Sequence, residues 1–179
     1  MSFKITGSGS CIPAVVQNND TFLNHSFYDE SGSEFDIENQ TIIEKFSSIT
    51  GINQRKYISA NLTTSDIAYQ AAKRAIKDAD IDPETLDYII LAHNFGDITC
   101  NSKQIDTLPS LASRVKAKLK IKNPECIAYD VLFGCPGWIE GMIQAQAFIK
   151  AKMAQKCLVI GADALSRVID SHDRDSMIY

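Results

Sequence analysis

Apolar and polar positions along this chain switch between two periods. Ile67, Ala68, Ala71, Ala72, Ala75, Ile76 and Ala79 recur at helical spacing, directly after the capping residues Thr64, Ser65 and Asp66. This narrow alanine stripe predicts a helix packed closely on a sheet. Tyr88-Ile89-Ile90-Leu91-Ala92 is a short continuous apolar run of the kind found in parallel strands buried on both faces. Cys126-Ile127-Ala128-Tyr129 and Lys156 to Ala162 predict two further strands, and Pro136 to Lys152 a long helix between them. Leu108-Pro109-Ser110 opens another helix, with proline at a tolerated first-turn position and Leu111, Val115 and Leu119 on one face.

The first third of the chain is less regular. Phe3 to Gly9 alternates like a strand and breaks at glycines, a helix is expected to start between Asn18 and Phe27, and Asp29 to Asp36 reads as a loop. Ile37 to Ile49 predicts a helix ended by Gly51. Strands alternating with helices imply α/β layers around a mostly parallel sheet with helices on both faces. Met177-Ile178-Tyr179 reads as the beginning of a strand, so the chain is expected to stop before the last strands of its fold.

In the helix after residue 136, Gly137, Gly141 and Ala145 form a small-residue stripe, while Met142, Ile143, Ala147, Phe148 and Ile149 cover other faces. A helix apolar nearly all round predicts a buried central position. At its head lies Tyr129-Asp130-Val131-Leu132-Phe133-Gly134-Cys135-Pro136-Gly137-Trp138, where a strand turns into that helix. Such a turn exposes one reactive atom, and a helix N-terminus favours a thiolate. Cys135 is therefore the candidate nucleophile, expected at the bottom of a pocket. A helix end contributes only roughly 0.3–2 kcal/mol, so a full cycle needs a separate acid/base partner, and the chain offers no convincing one.

Composition narrows the choices. The 179 residues are 45% hydrophobic and 22% charged, with a formal net charge of −4, enough for one well-buried domain. No basic block points to nucleic acid, and no apolar run approaches the roughly 20 residues of a membrane span. Five cysteines without a CxxC pair argue against a disulfide framework or a zinc site, and for reduced thiols in a cytoplasm. Cys126 and Cys157 fall in predicted strands as core residues, whereas Cys11 and Cys100 fall in loops. The histidines are scattered, so no metal is expected. His93 ends a strand at the edge where α/β proteins bind ligands, although a polar strand-end residue is the commoner case. His172, among Asp170, Asp173, Arg174 and Asp175, reads as a solvated loop residue.

The ordered set of motifs resembles the ketoacyl-acyl-carrier-protein synthase III family of the thiolase fold. It runs from Ile5-Thr6-Gly7-Ser8-Gly9 and Pro13 through Thr50-Gly51-Ile52-Asn53-Gln54-Arg55, the alanine-rich helix and Leu108-Pro109-Ser110. It continues through Tyr129-Asp130, Gly134-Cys135-Pro136-Gly137, Val159-Ile160-Gly161-Ala162-Asp163 and Asp170 to Arg174. The resemblance implies that residues 1–179 are the N-terminal half of a thiolase-like fold. It implies that the cysteine matching Cys135 is acylated by a thioester and then receives a carbanion from malonyl-carrier protein by decarboxylation. It places the catalytic His and Asn in a C-terminal half that this chain lacks, and implies acyl-carrier protein and acyl-coenzyme A thioesters as substrates, no cofactor, and a homodimer. Arg55 is the candidate ligand-phosphate contact, and Phe133 and Trp138 the candidate tunnel-lining residues. The family commonly has Trp and Arg flanking the segment before Thr-Gly-Ile, where this chain has Lys45 and Ile49. Leu132, Phe133 and Gly134 stand where the family usually has small alanines, and Pro136 and Trp138 replace a commoner Ala and Phe, which implies an altered acyl preference. Within the same fold, a non-decarboxylating enzyme of the hydroxymethylglutaryl-coenzyme A synthase kind, a transacylase, and a non-catalytic scaffold are the alternatives.

Overall fold

The computed structural model describes residues 3–176. The expected strand at Met177 to Tyr179 lies outside the described residues. Contacts gather the chain into two compact units, one of residues 1–12 and 60–164, the other of residues 13–59 and 165–179.

The first unit carries the parallel sheet. Its strands are β3 (Tyr88–His93), β4 (Ile127–Leu132) and β5 (Cys157–Gly161), in the order β4-β3-β5 with every pairing parallel. The central strand is buried along its full length, which is why its sequence is apolar without alternation. One face of the sheet is covered by α2 (Thr64–Asp78) and α3 (Leu111–Lys118), which share a core with Ile89, Leu91, Leu158 and Ile160. The other face is covered by α4 (Gly137–Lys150), which meets Tyr88, Ile90 and Val159. The fold class expected from sequence, α/β with helices on both faces of a parallel sheet, is the observed one.

Local chemistry explains the helix starts. Thr63 caps α2 in a capping box, with its own N–H donating to the Asp66 carboxylate at 2.9 Å. Ser110 caps α3 by accepting the Ser113 N–H at 3.2 Å. Pro109 thus lies before the cap, not in the first turn as expected. The stripe of α4 does what its spacing predicts. A Cβ added to Gly141 would stand 2.9 Å from Val159 Cγ1, so glycine is what allows this helix so close to the sheet. Only the Gly137, Gly141 and Ala145 side is buried, however, while Ile139 and Ile143 are exposed. The helix sits on the sheet, but among the described residues its outer side is not enclosed.

Two expectations for the chain start fail. Residues 3–9 form no strand but a segment laid against α2. A Cβ on Gly7 or Gly9 would overlap the α2 backbone, and Ser8 N–H donates to Asp78 at 2.8 Å. Those glycines serve close approach and do not end a strand.

The second unit has its own core of Phe22, Phe27, Ile42, Ile43 and Phe46. Its helix α1 (Asn39–Thr50) ends at Gly51, whose φ of +71° is the left-handed cap that glycine accepts most readily. A short antiparallel pair, β1 (Val15–Asn18) with β2 (Gln54–Tyr57), completes it. The Asn18 to Phe27 helix shrinks to a single 3-10 turn at Asn19–Phe22.

Candidate active site

The parallel strand β4 ends at Leu132, and the chain turns through Phe133, Gly134, Cys135 and Pro136 into α4. Gly134 makes the reversal with φ at +52°, and its O accepts the Gly137 N–H at 3.1 Å, closing the turn. That bond engages one N–H at the helix head, so Gly137 does not offer its amide to an oxyanion in this conformation. The turn lifts Cys135 off the C-terminal edge of the sheet, where open α/β folds place ligands.

The thiol is exposed, which corrects the expectation of a pocket floor. Phe133 and Trp138 flank it in sequence, 53% and 45% exposed, and Trp138 rests on Gly161 of β5, where an added Cβ would lie 3.0 Å from Trp138 Cβ. All three residues stand in the same unit and on the same edge of the sheet. Arg55 does not join them in that unit. It lies on β2 in the second unit, 8% exposed, where its Nη1 donates to Asn19 Oδ1 at 2.8 Å and its guanidinium lies over the Phe46 ring. Burial lowers its pKa, partly offset by Tyr57. Lys45 and Ile49 are exposed on α1 of that unit.

The sequence reading missed an arrangement at the floor of the turn. His93, 2% exposed at the end of β3, lies 3.0 Å through Nε2 from Asp130 Oδ2 on β4. Its Nδ1 accepts the Gly96 N–H at 2.9 Å. An Nδ1 that accepts places the proton on Nε2, so His93 is neutral and donates to Asp130. Asp130 also accepts Leu111 N–H at 2.7 Å and Ala112 N–H at 2.8 Å, at the head of α3. Burial opposes ionisation of Asp130, but these donors outweigh it and hold the carboxyl below its ordinary range. A histidine with both nitrogens engaged has no lone pair left for a thiol, so His93 is not a base for Cys135. Polar identity at a strand end was the only sequence signal, because the partners lie far apart along the chain.

No group of three or more His, Cys, Asp or Glu among the described residues is placed to hold a metal ion. No helix of the described residues is long and apolar enough to cross a membrane.

The parallel sheet, its two helical faces and the turn between β4 and α4 define an α/β fold of the thiolase-like class, one that presents a cysteine at a strand–helix junction. Within that class the chain resembles the ketoacyl-acyl-carrier-protein synthase III family across nearly its whole length. The family model for 3-oxoacyl-[acyl-carrier-protein (ACP)] synthase III matches residues 129–179, the stretch that holds the turn. A beta-ketoacyl-[acyl-carrier-protein] synthase III of Erythrobacter litoralis is 34% identical over 97% of this chain and 47% of its own length. One from Caldanaerobacter subterraneus is 35% identical over 97% of this chain and 46% of its own. The crystal structure of 3-oxoacyl-[acyl-carrier-protein] synthase III from Aquifex aeolicus superposes with a TM-score of 0.77 at 32% identity, covering 99% of this chain and 50% of that one. The chain spans about half the length of the curated relatives it matches.

Proposed function

We propose that residues 1–179 form the N-terminal, nucleophile-bearing half of an acyltransferase of the ketoacyl-acyl-carrier-protein synthase III type, acting in fatty acid or related lipid or polyketide biosynthesis. The Cys135 thiolate attacks the carbonyl of an acyl thioester, the carbonyl carbon–sulfur bond to the carrier breaks, and the carrier leaves as its thiolate. Malonyl-carrier protein then loses carbon dioxide, the carbanion so formed attacks the acyl-cysteine, and Cys135 leaves as thiolate. The second step draws on a His and an Asn from a C-terminal half, so this chain alone retains acylation and not condensation. Acyl-carrier protein and acyl-coenzyme A are the proposed partners, the working assembly is a homodimer in the cytoplasm, and no cofactor takes part. Phe133 and Trp138, beside the nucleophile, set which acyl chain is accepted; Arg55, enclosed in its own unit, is the weakest member of the proposed set.

The observation that supports this reading is the exposed thiol of Cys135, set by a left-handed glycine at the C-terminal edge of a parallel sheet and at the head of a helix. The test is peptide-resolved mass spectrometry after incubation with acetyl-coenzyme A and with an acyl-carrier-protein thioester. An acyl adduct is expected on Cys135 and none on a Cys135→Ser variant, with no carbon dioxide released from a malonyl thioester by this chain alone. An unmodified Cys135 under both thioesters overturns the nucleophile assignment. Condensation without carbon dioxide release by this chain combined with a C-terminal half points to the non-decarboxylating alternative.

A further inference from the structure

The Cys135 turn stands on the end of β3. Ala92 is so close beneath it that a Cβ on Gly137 would lie 3.1 Å from the Ala92 Cβ, and His93 is in parallel register with Leu132, the last residue before the turn. His93 is also where three other segments are tied together. Its Nδ1 takes the Gly96 N–H, its Nε2–H serves Asp130, and Asp130 takes two N–H groups at the head of α3. Asp130 lies on the strand that runs directly into Cys135.

A buried strand end of this kind needs no polar residue for packing. An imidazole there requires a matched donor and acceptor, or it costs the desolvation of an unpaired nitrogen. Here the match is complete and selects one tautomer. Remove the ring, and a partly buried carboxylate loses one of its three donors. The two that remain both come from the head of α3, and none ties Asp130 to the end of β3.

We propose that His93 is a positioning residue for Cys135: held as the neutral Nε2–H tautomer, it fixes Asp130, and through Asp130 it holds the end of β4 and the turn that carries the thiol. This rests on the reading of Cys135 as nucleophile. The imidazole acts on the thiol only through the strand, because neither of its nitrogens is open to a proton from sulfur.

The experiment compares wild type, His93→Gln and His93→Leu in the full chain, by single-turnover acylation of Cys135 with acetyl-coenzyme A and by its alkylation with iodoacetamide. His93→Leu removes both bonds at similar volume and lowers the rate constant of acylation roughly 10- to 100-fold, with half-saturation by the thioester unchanged. His93→Gln can still place an amide donor toward Asp130 and recovers most of the rate. A long-range proton–nitrogen spectrum of wild type shows the His93 proton on Nε2, a readout that survives even if the leucine variant does not fold. A His93 proton on Nδ1, or a folded His93→Leu chain that reacts at the wild-type rate with both reagents, overturns the proposal. If wild type takes no acyl group from the thioester, the enzymatic reading fails by itself, while the alkylation rates still decide the positioning role.

Discussion

Burial, with the Asp87 carboxylate adding to it, pushes the Cys157 thiol up to about 11, and burial likewise raises Cys126. Cys135, at the other end of the same sheet, is exposed. Reactivity follows the thiolate, so at pH 8 a thiol of pKa about 11 is ionised to roughly one part in a thousand. Iodoacetamide at that pH is expected to label Cys135 well before Cys126 or Cys157, as read from peptide-resolved time courses. The same shift carries a stability consequence with a definite sign. The folded pKa of Cys157 lies above the unfolded one, so the folded state keeps the thiol neutral where the unfolded chain ionises it. Its contribution is whole below about pH 9 and declines as pH climbs toward 11. A Cys157→Ala chain should show a flatter urea midpoint across that window than wild type. The position of Cys135 between a strand and a helix was legible because both flanking elements carry local signals. The His93–Asp130 pair was not, because its members are 37 residues apart and only the parallel register of β3 and β4 brings them together.

At the level of elements, two glycines separate two physical causes that sequence alone merges. Gly141→Ala gains helix propensity of about 1 kcal/mol but drives a methyl against Val159 and Ile90, an overpacking cost of about 1–3 kcal/mol. Gly51→Ala meets nothing within 4 Å, yet forces an L residue to φ of +71°, which costs about 1–2 kcal/mol. Both chains should lose stability in urea melts. Gly51→Asn is expected to recover most of the loss, since asparagine tolerates that conformation, whereas Gly141→Asn is expected to be worse than alanine. Helices α1, α2 and α4 and strands β3 to β5 were readable from period and apolar runs, helped by the capping box of α2 and the Gly51 end of α1. The pair β1 and β2 was not. Val15 to Asn18 and Gln54 to Tyr57 are four-residue strands that exist by pairing with each other, and neither has a period of its own.

For the whole molecule, the apolar residues left exposed around the Cys135 turn matter most. Phe133, Trp138, Ile139 and Ile143 are all exposed along α4 and the turn before it, within one unit. Exposed apolar surface binds hydrophobic dyes. The purified chain is expected to enhance anilinonaphthalene sulfonate fluorescence while keeping a native near-UV spectrum. Ile139→Glu with Ile143→Lys should cut that signal severalfold without moving the urea midpoint by more than about 0.5 kcal/mol equivalent. Loss of the near-UV signal in wild type would instead mean that the dye reads a loosened core. Residues 13–59 gather around their own phenylalanine cluster and do not add to the parallel sheet.

Period, caps and turn residues decided by themselves that this chain makes parallel strands alternating with helices, and that one cysteine heads an apolar helix. These are short-range properties, carried by neighbours within a turn or a strand. Tertiary structure alone decided that the thiol is exposed, that the histidine at the end of β3 is tied to Asp130 and not free to act on sulfur, and that Arg55 lies enclosed in a separate unit. Solvent access and hydrogen-bond partnership depend on which distant segments come together, and no local pattern encodes that.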